Sequence, residues 1–142
     1  MYVSESVGFI ISNTGRKLSQ ALTARFQPRD ITSEQWSVLK KLAEEDGITQ
    51  KELSNRIEKD PTNVTRILDQ LERKGWIRRA ANREDRRSFL THITEAGREL
   101  SKELTPIEAQ FVEQMLHGLS AQDVAVLRGV FKQINKNIDI RH

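Results

Sequence analysis

The sequence contains no cysteine. That absence excludes disulfide bonds, thiolate metal sites and cysteine-based redox sensing together. It fits a reducing compartment, where disulfides are rare. Proline is scarce at three residues, and aromatic side chains make up only 6% of the chain. No apolar run approaches the roughly 20 residues that cross a bilayer, and no basic start followed by an apolar stretch marks a secretory signal. The expected location is the cytoplasm, with no membrane association. The three histidines, His92, His117 and His142, are scattered without metal-ligand spacing, and neither a glycine-rich phosphate loop nor a nucleophile elbow is present. These gaps argue against an enzyme, a bound metal and a cofactor.

What is present is charge, unevenly placed. Residues 49–92 carry eleven basic side chains (Lys51, Arg56, Lys59, Arg66, Arg73, Lys74, Arg78, Arg79, Arg83, Arg86, Arg87) against seven acidic ones, whereas residues 1–48 carry six of each and residues 93–142 six against seven. The net charge of +3 is therefore confined to the middle of the chain. Such a concentration suits either a polyanion footprint or a solvated face.

The 142 residues suffice for one domain, or two small lobes sharing helices, with a core that needs no staples. Val7, Ile10, Ile11, Leu18, Ala21, Leu22 and Phe26 recur at helical spacing, and Pro28 ends that first helix. Thr32 with Gln35, and Thr49 with Glu52, are capping boxes that open the second and third helices. Asp60 is the expected cap of a fourth helix, with Pro61 at its first position. Its buried stripe is Val64, Ile67, Leu68 and Leu71, and Gly75 is its stop. Residues 76–79 and 89–93 read as two short strands around a polar loop at 80–88. Thr94 caps a fifth helix in which Pro106 is expected to cause a kink or a break, and a sixth helix starts at Ser120. Trp36 and Trp76 are assigned to packing.

The pattern is mainly α with a small β-hairpin wing: a winged helix-turn-helix flanked by N- and C-terminal helices. With its apolar stripe inward, the fourth helix turns Thr62, Asn63, Thr65 and Arg66 outward, with Gln70 beside them. In helix-turn-helix proteins that half enters the major groove, where arginine grips guanine and asparagine grips adenine. Thr49, Gln50, Lys51 and Arg73 would meet the phosphate backbone, which positions without specifying. At the hairpin tip, Arg83, Arg86 and Arg87 suit a phosphate chain or a narrow minor groove. Asp85 would repel phosphate, so it is expected to pair with Arg87 or another wing arginine and fix the tip. Asp69 is expected to act similarly toward a wing arginine.

Four stretches carry a resemblance. They are Thr32-Ser33-Glu34-Gln35-Trp36-Ser37-Val38-Leu39, Thr49-Gln50-Lys51-Glu52-Leu53, the run from Thr62 to Gly75, and the run from Asn82 through Ser88 to Leu90-Thr91-His92-Ile93-Thr94-Glu95-Ala96-Gly97. In this order the chain resembles the multiple antibiotic resistance regulator (MarR) family of winged-helix repressors. The resemblance implies a homodimer built from the terminal helices, so that residues 1–31 and 98–142 form a dimerisation lobe and residues 32–97 a DNA-binding lobe. It implies a pseudo-palindromic double-stranded DNA operator, and release by a small molecule, often an aromatic or phenolic acid. Asp85 and Arg87 fall on the family's wing signature. Glu84 stands where many relatives carry arginine, which leaves open whether Arg83 or Arg86 enters the groove. The ligand-binding residues are not assigned. Two other readings stay open: a winged-helix module that binds an acidic protein partner, and a small-molecule-binding protein without sequence preference on DNA.

Overall fold

The structure is a computed structural model that describes residues 2–139, with side chains from Ser6 onward. His142 lies outside the described residues. Helix α1 (Tyr2–Phe26) runs into a 3-10 turn, Gln27–Arg29, that carries the expected proline. Helix α2 (Ser33–Glu44) follows, then a short strand β1 (Ile48–Thr49), α3 (Gln50–Ile57) and α4 (Pro61–Arg73). Strands β2 (Ile77–Ala81) and β3 (Phe89–Ile93) form the hairpin, and α5 (Glu95–Met115) and α6 (Ala121–Ile138) complete the chain.

The helix starts obey their local chemistry. Thr32 and Thr49 each accept the backbone N–H three residues on, and the side chains of Gln35 and Glu52 reach back to the cap N–H. Each box satisfies two amides that the helix itself leaves unpaired. Ser120 and Asp123 make the same pair at α6. Asp60 occupies the cap position of α4 but makes no side-chain cap hydrogen bond. Pro61 at the next position is itself preorganised for the first turn.

The chain divides into two units, one ending at Glu108 and the other starting at Ala109. The first holds the main core, in which Phe26, Trp36, Leu39, Leu42, Leu53, Ile67, Leu68, Leu71, Ile77 and Leu104 are buried. The rings of Phe26 and Trp36 meet edge to face at 6.1 Å. Thus the stripes of α2, α3 and α4 converge on one centre, and the outer face of α4 is left to solvent.

Two features depart from the sequence reading. The sheet has three antiparallel strands in the order β1-β3-β2, not two. Ile48 pairs with Thr91 and Thr49 with Leu90, and the Thr91 hydroxyl donates to the Ile48 carbonyl at 2.7 Å. A two-residue strand has no alternation to read, so nothing in sequence marked it. Pro106 also does not break α5, which continues to Met115. One proline forfeits one main-chain hydrogen bond. Buried Leu104 and half-buried Ile107 hold the helix on either side.

In the second unit, α6 has no buried residue. Leu127, Val130, Phe131 and Ile138 on α6 are exposed, as are Val7, Phe9 and Ile10 on α1 in the first unit. No helix among the described residues is long and apolar enough to cross a membrane.

Candidate nucleic-acid interface

The outer face of α4 sorts the predicted residues into two groups. Thr62, Asn63 and Arg66 are exposed. The Arg66 Nη2 donates to Asn63 Oδ1 at 2.9 Å and lies 3.6 Å from Glu34 Oε2 on α2. Thr65 is half-buried and already engaged. Its hydroxyl donates to the Pro61 carbonyl at 2.9 Å and accepts from the Gln50 amide. Thr65 and Gln50 therefore tie α3 to α4, and the Thr65 hydroxyl has no proton left to donate. Gln70 is likewise turned toward α2, accepting from Gln35 Nε2 at 3.0 Å.

Around this face, Thr49 is committed to its capping box, Lys51 is exposed at the start of α3, and Arg73 is exposed in the last turn of α4. Hydrogen bonds from the Thr49 N–H and hydroxyl, with the nearby Arg56, hold the Glu52 carboxyl below its ordinary value.

The wing tip is built by two side chains that mimic backbone. Asn82 Oδ1 accepts the Glu84 N–H at 3.0 Å, and Asp85 Oδ1 accepts the Arg87 N–H at 3.0 Å. Main-chain bonds from Asp85 to Asn82 (3.2 Å) and from Ser88 to Asp85 (3.1 Å) close two successive turns. Asn82 Nδ2 donates to Ser88 Oγ at 2.9 Å across the base of the loop. The expected Asp85–Arg87 ion pair is absent among the described residues. The physical reason is that an aspartate finds its second-following backbone N–H without ordering a long side chain. Asn82 and Ser88 belong to a stretch that carries the resemblance but were given no role of their own, although Asn-x-x-Asp-x-x-Ser is a readable double-turn spacing.

The expected role of Asp69 is met by a strand residue. Arg79 of β2 donates to Asp69 Oδ1 at 2.5 Å and to Glu72 Oε1 at 2.7 Å, tying the base of the wing to α4. The hydrogen bonds that Arg79 donates to Glu72, and then to Asp69, raise its pKa further.

Pairing also separates the cations. Arg56, Arg66, Lys74 and Arg79 of the middle segment lie against carboxylates. Lys51, Arg73, Arg78, Arg83, Arg86 and Arg87 are exposed and form no ion pair among the described residues. A cleft of about 310 Å³ is lined by Gln50, Lys51 and Ser54 of α3, Pro61 of α4, and Arg87, Ser88 and Phe89 of the wing. The starts of both helices and the base of the wing thus share one surface. No group of three or more metal-ligating side chains exists among the described residues.

Residues 31–89, from the start of α2 to the start of β3, match the MarR family. The multiple antibiotic resistance protein MarR of Escherichia coli (strain K12) is 31% identical over 129 residues, covering 90% of each chain. The chain belongs to the MarR family. Its counterpart from Salmonella typhimurium is 33% identical with the same 90% coverage of both chains. A crystal structure of a mutant E. coli MarR complexed with operator DNA superposes with a TM-score of 0.85 at 28% identity, covering 91% of this chain and 93% of that one. The Staphylococcus aureus MepR–DNA complex shares the fold, with a TM-score of 0.86 at 22% identity and coverage of 92% and 97%. MarR-family members are transcriptional regulators, not enzymes. The winged-helix assignment therefore stands on both sequence and fold.

Proposed function

We propose that this MarR-family regulator acts as a homodimeric repressor. It binds a pseudo-palindromic operator through Thr62, Asn63 and Arg66 in the major groove and through the wing arginines Arg83 and Arg86 at the flanking backbone or minor groove. The observation that carries this reading is the single surface shared by the starts of α3 and α4 and the base of the wing, edged by cations that lack carboxylate partners. Lys51 and Arg73 serve as backbone contacts, while Thr49, Gln50, Thr65 and Gln70 support the helices that carry them. Asp85, through the Arg87 N–H, sets the shape of the tip.

Exposed apolar side chains on α1 (Val7, Ile10) and α6 (Leu127, Val130, Phe131) support a dimer made by the terminal helices. Two copies then place their recognition helices about one helical turn apart, roughly 34–36 Å. Ligand control follows by linkage: a small molecule that favours another spacing weakens operator binding by the same factor. A cleft of about 410 Å³ beside the end of α1, lined among others by Gln20, Thr23, Ile31 and Lys74, offers room for a small organic effector.

Selection of binding sites from random duplexes tests the proposal. The expected product is an inverted repeat with half-sites about 10 base pairs apart. A selection that enriches no sequence overturns it.

A further inference from the structure

The ion pair between Glu34 and Arg66 joins an acid on α2 to the cation best placed to read a base. Glu34 lies in the first turn of α2, two residues after the cap Thr32. Both side chains are about half exposed, at 53% each. The next residue of α2, Gln35, holds Gln70, one helical turn beyond Arg66 on α4. Consecutive residues of α2 therefore grip α4 at two points one turn apart, which fixes where Glu34 stands relative to Arg66. The same Arg66 nitrogen is shared with Asn63, at 2.9 Å.

From this geometry we infer that Glu34 is a specificity-determining residue of the DNA face. The inference rests on the proposed DNA-binding reading. A phosphate offers Arg66 only charge and acceptor oxygens, which Glu34 already supplies. A carboxylate at the same face also repels every phosphate brought near it. Both effects weaken binding to any duplex. Glu34 meets Arg66 through one carboxylate oxygen at 3.6 Å, whereas a guanine in register takes two parallel guanidinium N–H groups on O6 and N7. Arg66 is drawn off Glu34 by the correct base and not by backbone alone. Specificity is a difference of affinities, and a group that penalises the wrong partner raises it. The N-terminal end of α2 also favours an acid through the helix dipole. That role affects stability and leaves discrimination untouched.

The test compares the full-length wild type, Glu34→Gln, Arg66→Ala and the double variant. Fluorescence anisotropy measures the affinity of each for the duplex recovered by selection and for a scrambled duplex of equal length. Glu34→Gln is expected to tighten scrambled-duplex binding by about two- to fivefold, the range of an exposed ion pair, and to tighten selected-duplex binding less. The affinity ratio falls, and in the Arg66→Ala background Glu34→Gln leaves the ratio unchanged. Glu34→Ser serves as a second variant, and the thermal midpoint of each protein is read alongside. An unchanged ratio in Glu34→Gln overturns the inference. So does a fall of equal size with and without Arg66, which marks a general charge effect. A wild-type ratio of one instead removes the DNA-binding reading, and this inference with it.

Discussion

The Asp85 carboxylate accepts the backbone N–H of Arg87 at 3.0 Å, and the Arg87 guanidinium makes no ion pair among the described residues. One signature residue thus shapes the tip while the other keeps its charge for a partner. Asparagine can make the same backbone hydrogen bond, and alanine cannot. Asp85→Asn is expected to keep operator affinity within about twofold. Asp85→Ala should lose about 0.5–1.5 kcal/mol, the net worth of one hydrogen bond. Titration of labelled duplex with both variants checks this. Equal losses for the two would show that the negative charge matters and the turn does not.

Gly97 sits where the first turn of α5 crosses the end of the loop that follows α4. A Cβ there would lie 2.2 Å from the Trp76 carbonyl oxygen and 2.7 Å from Ile93 Cγ1. The backbone cannot retreat cheaply, because the same Trp76 carbonyl accepts the Thr94 N–H at 3.0 Å and the Thr94 hydroxyl donates to the Gly75 carbonyl at 2.7 Å. Gly97→Ala is expected to cost about 1–3 kcal/mol, the usual range for overpacking. The urea midpoint reports it. A midpoint equal to wild type would mean that this junction can open without loss.

Much of this architecture was legible because local chemistry and periodicity agree. The two threonine boxes, Pro61 at the start of α4 and its four-residue stripe each point to the same boundaries that the structure has. Arg66 and the wing arginines could be picked out because they face away from that stripe or sit in a turn. Side-chain partners across elements were much less legible. Thr65 and Gln70 look outward on a helical wheel, yet Gln50 and Gln35 claim them from neighbouring helices. Asp85 is expected from sequence to take a cation, and takes a backbone amide. Helical periodicity places a residue on a face, whereas a hydrogen-bond partner depends on which neighbour that face meets.

The α3 capping box gives the fold a pH dependence. The Glu52 carboxyl lies below its ordinary value of 4.5, first because of the Thr49 N–H, then the Thr49 hydroxyl and Arg56. A lowered folded-state pKa stabilises the fold above the unfolded value and is lost as pH falls through the folded one. Glu52→Gln should therefore be less stable than wild type at neutral pH, and the gap should close as pH drops below about 4.5. Urea midpoints of the two proteins from pH 7 to pH 3 check this. A gap that stays constant would place the effect of Glu52 in something other than its ionised form.

Phe131 and Val130 are exposed apolar side chains on α6. If they meet a second copy, a carboxylate at position 131 must be desolvated there, which is costly unless paired. Phe131→Glu is expected to shift the protein toward monomer in sedimentation velocity and to weaken operator binding with it. A variant that remains dimeric would move the self-association surface away from this face of α6.

Arg66 and the wing arginines should fail in different ways. Loss of a bidentate base contact costs about 1–3 kcal/mol and relaxes preference at one position of the site. Arg66→Ala is expected to do this while changing the salt dependence little. Each phosphate contact adds about 0.9 to the slope of log affinity against log salt on duplex DNA. Arg83→Ala and Arg86→Ala should weaken selected and random duplexes alike and flatten that slope, and the larger flattening marks the arginine that meets the backbone. Glu84 lies between them without an ion pair among the described residues, so Glu84→Arg should steepen the slope by about the same increment if the tip lies on DNA. Binding isotherms across a salt series measure all four variants. Identical slopes throughout would take the wing off the duplex.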